Sequence, residues 1–462
     1  MRLKQRESLP WHMLPTIFAL AWPTMLEQLM QTAVQYVDTS MVGSLGTQAT
    51  AAVGATTTVN WLVNSTISAV SIGFLAYISQ ACGAGEFRRA KRASAQAAFV
   101  ALVLGTFFTV VTLALSPMVP VWMQVDAAIR DSAAQYFVIL YSPMLFRTAT
   151  IIFGTVLRAV GDTKAPMKVG IWVNAINVLL NFLLIYPTRE LTIFQFTFTM
   201  PGAGWGVLGA GAASAVAFAV GGVMLTVRYL HHKVISPIGI SIKPDMQVLG
   251  PCLKVALPNC LQRFGTSLGY VVFAAMINSL GDVSTAAHTI ANTVESAFYI
   301  PGFGMQSAAA TLAGNAWGAQ DRDRIRSLTR MFIPVEVALM VLSGGLLFIF
   351  APDMVGMFSE DQKVILLGAT VLRMVACSEP FYGVSIIIEG MMQGMGNTMI
   401  PFACNICCMW GIRIVGTFIC TQLMHMGLIS AWACMIGHNL VLFGAFVFLC
   451  ASGRYMPQER NK

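Results

Sequence analysis

Leu20-Ala21-Trp22-Pro23, near the start of the chain, returns as Val255-Ala256-Leu257-Pro258 about 235 positions later, with no gap needed. Outward from it the copy continues. Ser44-Leu45-Gly46 returns as Ser279-Leu280-Gly281, Thr50-Ala51-Ala52 as Thr285-Ala286-Ala287, and Thr58-Val59 as Thr293-Val294. Gly83-Ala84 before charged residues matches Gly318-Ala319 before charged residues. Gly161-Asp162-Thr163 with Pro166 matches Gly396-Asn397-Thr398 with Pro401. Half of the chain is a copy of the other half. In an apolar chain this is the plan of a transporter built from two related bundles around a central site.

The 462 residues are 56% hydrophobic and only 10% charged, against roughly 25% charge in soluble domains. A water-soluble fold of this length has no way to hide so much apolar surface, so its solvent is mostly the lipid bilayer. The ten cysteines are scattered singly, mostly in apolar runs (Cys252, Cys260, Cys420, Cys434), which is not a disulfide framework. Cys404 and Cys407 form a CxxC without a second pair and read as helix packing rather than metal binding. The basic start Met1-Arg2-Leu3-Lys4-Gln5-Arg6 precedes an apolar run too long for a signal core and broken by Glu27 and Asp38, so no cleaved signal is expected. The net charge of +8 sits in short loops between apolar spans, which argues against a nucleic-acid partner.

About twelve spans of the required ~20 residues can be read, near 14–42, 50–81, 93–120, 127–157, 166–187, 204–230, 249–280, 284–315, 328–351, 362–392, 401–423 and 427–451. Pro23 and Pro258 are matching bend points in the first helix of each half. Most Lys and Arg (Arg88, Arg89, Lys91, Arg92, Arg158, Lys164, Lys233, Lys243, Arg322, Arg324, Arg326, Arg330) fall on one side if the termini and the loops after even-numbered spans share it. That side is cytoplasmic. The fold expected is therefore all-α and integral to the membrane. Residues 1–230 form an N-terminal six-helix bundle, 231–248 a cytoplasmic linker, and 249–462 a C-terminal six-helix bundle. Six spans per half relate the bundles by a pseudo-twofold axis along the membrane normal. The protein is expected in the inner (plasma) membrane, multi-pass, as a monomer, with both termini cytoplasmic.

A carboxylate at mid-membrane costs about 2.5–3.5 kcal/mol on insertion scales, so each asks for a reason. Glu27, Asp38, Glu295, Glu336, Glu379 and Glu389 are the cases. Glu27, Gln31 and Asp38 are spaced to share one face of the first span. On the fifth span lie Asn174, Asn177 and Asn181, the last two one turn apart. A carboxylate facing two amides can hold a sodium ion through oxygen ligands or a proton that the amides position; a hydrogen-bonded polar pair that fixes helix packing is the plainer alternative. The second half differs: Glu27 corresponds to Gln262, Asp38 to Phe273, and the acids Glu295 and Glu389 correspond to Asn60 and Gly154. Four arginines also sit inside spans, Arg147, Arg263, Arg373 and Arg413, and some are expected to pair with Glu295 or Glu389. No nucleophile–base or metal-ligand constellation is present, so an enzyme is not expected.

These residues resemble one family. Trp22-Pro23, Glu27-Gln28, Val37-Asp38-Thr39, Val42-Gly43-Ser44-Leu45-Gly46 and Ala51-Ala52-Val53-Gly54 resemble the first helix and following loop of multidrug and toxic compound extrusion (MATE) transporters. Ile78-Ser79-Gln80, Gly83-Ala84 and Arg89-Ala90 resemble the end of their second helix. Leu157-Arg158-Ala159-Val160-Gly161-Asp162-Thr163-Lys164-Ala165-Pro166 is similar to their LRGxGDTxxP loop, with a shorter echo from Gln393 to Pro401. Gly206-Val207-Leu208-Gly209-Ala210 resembles the start of their sixth helix.

The resemblance implies two six-helix bundles, alternating access, and export of organic cations, drugs or amphipathic metabolites against inward H+ or Na+. It makes Asp38 the coupling acid, with Asn177 and Asn181 as its polar pair and Ser214 as a hydroxyl position. The site expected is thus Asp38, Asn177, Asn181 and Ser214 for the coupling ion. Glu27, Gln31, Asn60, Gln262, Glu295, Tyr382 and Glu389 are the candidates for a substrate cavity. No cofactor and no structural metal are expected, with sodium at Asp38, Asn177 and Asn181 as one option. Members with a second acidic site carry carboxylates near positions that are here Gln262 and Tyr382, so a C-half ion site of that type is not expected. The rival reading is a flippase for a lipid-linked precursor or polysaccharide unit, for which the four arginines speak.

Overall fold

The structure is a computed structural model, and it describes residues 11–122, 125, 127–193 and 196–457. The basic start Met1–Arg6 and the last five residues lie outside them. Among the described residues seventeen α-helices follow one another: α1 (Leu14–Gly43), α2 (Thr47–Gly83), α3 (Phe87–Leu115), α4 (Val119–Trp122), α5 (Arg130–Tyr141), α6 (Met144–Ala159), α7 (Lys164–Leu184), α8 (Val207–Leu230), α9 (Met246–Asn278), α10 (Asp282–Phe298), α11 (Ile300–Gly318), α12 (Arg322–Gly356), α13 (Gln362–Ala376), α14 (Glu379–Gly394), α15 (Met399–Cys408), α16 (Val415–Phe418) and α17 (Leu428–Ala451). Eight helices among the described residues are long and apolar enough to cross a membrane, or ten if two bent pairs each count as one span. The helix α1, carrying Glu27, Gln28, Gln31, Gln35 and Asp38, is not among the eight.

Three spans expected to be continuous are broken. The fourth divides into α5 and α6 with a 47° bend, and the tenth into α13 and α14 with a 53° bend. Pro143 stands immediately before α6, and Pro380 is in the first turn of α14. Proline lacks the amide a continuing helix needs but suits a helix start, so each ends one helix and begins the next. The eighth span divides likewise at Tyr299, with Pro301 opening α11. There the carbonyl of Phe298 accepts the Ser343 hydroxyl at 2.8 Å. The eleventh span leaves α-geometry after α15, with π-helical turns at Met409–Ile414 and Ile419–Leu423.

Between α7 and α8 lies an antiparallel hairpin, β1 (Pro187–Ile193) with β2 (Phe196–Ala203), where no regular element was expected. The alternation Phe196-Thr197-Phe198-Thr199-Met200 is the strand signal that could have announced it.

The chain packs as two compact units. One contains Leu26–Phe74 and Phe87–Gly250. In it α8 lies against α5, α6 and α7. Its small residues permit this: a methyl group on Gly222 would sit 2.6 Å from Cβ of Phe146 in α6, and one on Gly211 would sit 3.0 Å from the ring of Tyr136 in α5. Close backbone approach of this kind is how helices gain packing in lipid, where no hydrophobic drive separates them from solvent.

The other unit contains Met1–Met25, Leu75–Glu86 and Pro251–Lys462. Its core gathers Met305, Leu312, Phe332, Ile387, Met391 and Phe446 from α11, α12, α14 and α17, all buried. The end of α2 joins this unit and carries the duplication into three dimensions. A methyl group on Gly83 would collide with the carbonyl of Asn315, and one on Gly318 with the carbonyl of Gln80. Gly318 is the repeat partner of Gly83, and Asn315 that of Gln80. The contact is therefore reciprocal, as across a two-fold axis.

Candidate functional site

The first unit holds the polar centre built around Asp38. Its helix α1 carries Asp38 partly buried, and α7 supplies Asn177 and Asn181 one turn apart, both buried. The Asn181 amide donates to Asp38 Oδ1 at 2.5 Å. Of the two orientations of the Asn177 amide, the one that satisfies both ends donates Nδ2 to Asp38 Oδ1 at 2.8 Å and accepts the Ser214 hydroxyl at 3.1 Å. The four residues of the expected coupling site are therefore contiguous: acid on α1, two amides on α7, hydroxyl on α8. Tyr136 of α5 is in electrostatic reach of Asp38 and was not anticipated. Two amide atoms are left over, Asn181 Oδ1 and Asn174 Nδ2, both buried without a partner.

Glu27, a full helical stretch before Asp38 on α1, is engaged elsewhere. Arg158 Nη2 donates to both of its carboxylate oxygens, at 2.9 and 3.0 Å. Gly170 of α7 lies beside the pair, and a methyl there would come to contact distance of Glu27 Cγ, 3.4 Å. Arg158 sits in the Leu157-Arg158-Ala159 motif, and it is this partner that the sequence reading lacked. Of the other cavity candidates in this unit, Gln31 is exposed. Asn60 is partly buried, and its carbonyl oxygen is without a partner.

The second unit holds two further polar groups. In the first, Glu389 of α14 accepts three amide bonds: from Gln262 on α9 at 2.8 Å, from Gln393 at 3.0 Å and from Asn405 on α15 at 3.2 Å. Arg263 is its electrostatic partner without forming a salt bridge. In the second, Glu295 of α10 accepts the Tyr299 hydroxyl at 2.5 Å, and Tyr299 packs edge-on to Tyr382 at 5.2 Å between ring centres.

Of the spanning arginines expected to pair with Glu295 or Glu389, Arg263 is in electrostatic reach of Glu389 and Arg413 of Glu295, with no salt bridge between them among the described residues. Arg147 lies 4.5 Å over the Phe218 ring, Arg413 lies over Tyr270 and Phe273 at 4.6 and 4.2 Å, and Arg373 donates to the Phe348 carbonyl at 3.3 Å. A guanidinium in an apolar surrounding is stabilised by an aromatic face without a second buried charge. Among the described residues no group of three His, Cys, Asp or Glu has a metal-holding arrangement, and all ten cysteines are free.

Comparison with known proteins agrees with this architecture. The family model MatE matches residues 23–183 and again 258–419, so its two copies begin at the two prolines with which the repeat was recognised. A probable multidrug resistance protein NorM of Thermotoga maritima is 25% identical over 451 residues, covering 96% of this chain and 95% of its own. A probable multidrug resistance protein YoeA of Bacillus subtilis is 25% identical over 442 residues, covering 92% of each. Among solved structures, the outward-facing form of a multidrug resistance MATE family transporter of the MOP superfamily superposes with a TM-score of 0.86 at 19% identity, covering 96% of each chain. A MOP superfamily transporter from Pyrococcus furiosus, described as having a binding pocket of reverse polarity, gives 0.86 at 20% identity over 95% of each.

Proposed function

The chain belongs to the MatE family of multi-pass membrane transporters, and on that premise we propose that it is an antiporter exporting organic cations or amphipathic drugs in exchange for an inward-moving cation bound at Asp38. One observation carries this reading: a partly buried carboxylate held by two amides of a neighbouring helix, Asn177 and Asn181. An intramembrane acid with its own hydrogen-bond frame is a functional feature by default.

The geometry supports a proton as the coupling ion. The shorter bonds of both amides end on Oδ1. Oδ2 can therefore take a proton while that frame stays in place. Sodium would instead require both amides to turn their carbonyls toward the carboxylate, since hard cations bind oxygen. Sodium remains the alternative that the experiment separates. Loading Asp38 removes a charge from the first unit and biases its conformational equilibrium, provided the two conformations bind the ion unequally. A membrane potential adds about 2.3 kcal/mol per charge per 100 mV. The orientation proposed has both termini cytoplasmic in the inner membrane.

The flippase alternative rested on arginines free to meet an anionic headgroup. Arg147 and Arg413 instead lie on aromatic rings, so this reading rests on Arg263 and the exposed Arg373, neither in a salt bridge among the described residues.

The test is Asp38→Asn in cells loaded with a fluorescent organic cation. The variant is expected to reach the membrane at wild-type level and to lose efflux at least tenfold. Wild-type efflux by this variant removes Asp38 from the mechanism.

A further inference from the structure

The last turn of the eleventh span holds a thiol that the transport reading leaves unused, and the twelfth span brings a second one to it. Cys420 lies in the π-helical turn Ile419–Leu423, and Cys434 lies on α17. The two are 14 residues apart in the chain, and their sulfurs stand 3.9 Å from each other. Both are free and half-buried. A free cysteine in an apolar chain ordinarily packs as a small hydrophobic side chain. Here two helices carry theirs to one point.

The surroundings define the meeting point. Gly416 precedes Cys420 by one helical turn. A methyl group on Gly416 would stand 3.1 Å from Cys434 Sγ, closer than carbon and sulfur ordinarily pack, so a larger residue there would push the thiol aside. The backbone around Cys420 departs from the regular α-helix. The Met424 amide donates to the Ile419 carbonyl at 2.9 Å, and the Met426 amide to the Cys420 carbonyl at 2.8 Å. Such wide turns are rare and are frequent at functional sites. In the same turn the Gln422 amide donates to the hydroxyl of Ser279, just past α9, at 2.8 Å. A bond between the two sulfurs would join α17 to a turn already tied to the end of α9. Beyond Cys420 the chain reverses through residues 423–427, which are exposed. In the orientation proposed above, this reversal follows an odd-numbered span and lies on the non-cytoplasmic side. There thiols are oxidised rather than kept reduced.

We propose that Cys420 and Cys434 are a redox modification site, a dithiol that closes to a disulfide and pins the π-helical turn to α17. Its assignment to the oxidising face rests on the proposed orientation. The sulfurs have to close from a non-bonded contact to a bond, and rotation about the Cα–Cβ bonds is the motion available to them. The co-reactant is a disulfide-bearing oxidant. One thiolate attacks it, forming a mixed disulfide and releasing one thiol. The second thiolate then attacks the cysteine sulfur of the mixed disulfide, forming the Cys420–Cys434 bond and releasing a second thiol. The two cysteine protons end on the two released thiols, and the oxidant has taken up the two electrons.

Peptide mass mapping of the purified full-length protein in lipid nanodiscs, after incubation with oxidised glutathione and alkylation of the remaining thiols, tests the pair independently of Asp38 and of orientation. Wild type is expected to give a peptide pair joined through Cys420 and Cys434 as its main crosslink, and to lose it on reduction. Cys420→Ser and Cys434→Ser should each lose the crosslink and retain glutathione on the remaining thiol, because the second exchange step then has no partner. A wild type in which both cysteines stay alkylated, or in which either pairs with another cysteine, overturns the proposal. So does glutathione retained on wild type as fully as on the variants. The same crosslink is expected in protein from acid-quenched cells. A crosslink that forms in nanodiscs but is missing from cells overturns the assignment to the oxidising face, whereas failure in nanodiscs overturns the thiol pair itself.

Discussion

Glu27 with Arg158 and Glu389 with its three amides occupy the same point of the two repeats. Gln262 stands at the repeat position of Glu27, Gln393 at that of Arg158, Asn405 at that of Gly170, and Glu389 at that of Gly154. In the first half the acid comes from α1 and a cation from α6 closes on it. In the second half the acid comes from α14, the repeat counterpart of α6, and amides replace both the old acid and the old cation. A methyl on Gly154 or Gly170 of the first half would already be in contact with Arg158 or Glu27, at the positions where Glu389 and Asn405 stand in the second. Duplication has thus kept where the polar group sits while its sign and its carrier were free to change. One locus is closed by an opposite charge, the other by neutral amides, as at Asp38.

The sharpest break of this comparison is Arg158→Ala. It strands the Glu27 charge in a poorly solvated site and should cost about 3–5 kcal/mol, seen as a large drop in thermal unfolding midpoint. The double variant Glu27→Gln with Arg158→Gln should recover most of that loss, and no recovery would mean the pair is not what holds this locus. A smaller effect is expected at the equivalent locus. Glu389→Gln keeps one carbonyl acceptor for the surrounding amides and should cost about 1 kcal/mol in the same assay. Equal losses for Arg158→Ala and Glu389→Gln would erase the distinction drawn between the two halves.

Much of this architecture was legible in the chain. The repeat, the membrane setting and the Asp38–Asn177–Asn181–Ser214 group came from spacing, composition and resemblance, because helical periodicity fixes which residues share a face. The breaks at Pro143, Pro301 and Pro380 were not read, since an apolar run long enough to span looks the same whether straight or bent. The partners of Glu27 and Glu389 were missed for a different reason. Arg158, Gln262 and Asn405 lie on other helices, and tertiary pairing leaves no local pattern; Gln393 is one turn from Glu389 on α14, a spacing the chain did offer. The hairpin at β1–β2 did carry a signal, an alternation of Phe and Thr, in a stretch scanned for helices.

Proteoliposome transport of one organic cation, under pH and sodium gradients imposed separately, tests the central claim most directly. The expected result is accumulation driven by the pH gradient, insensitive to sodium, and abolished in Asp38→Asn. Accumulation without any opposing ion gradient, or gradient-driven accumulation that Asp38→Asn preserves, would contradict it.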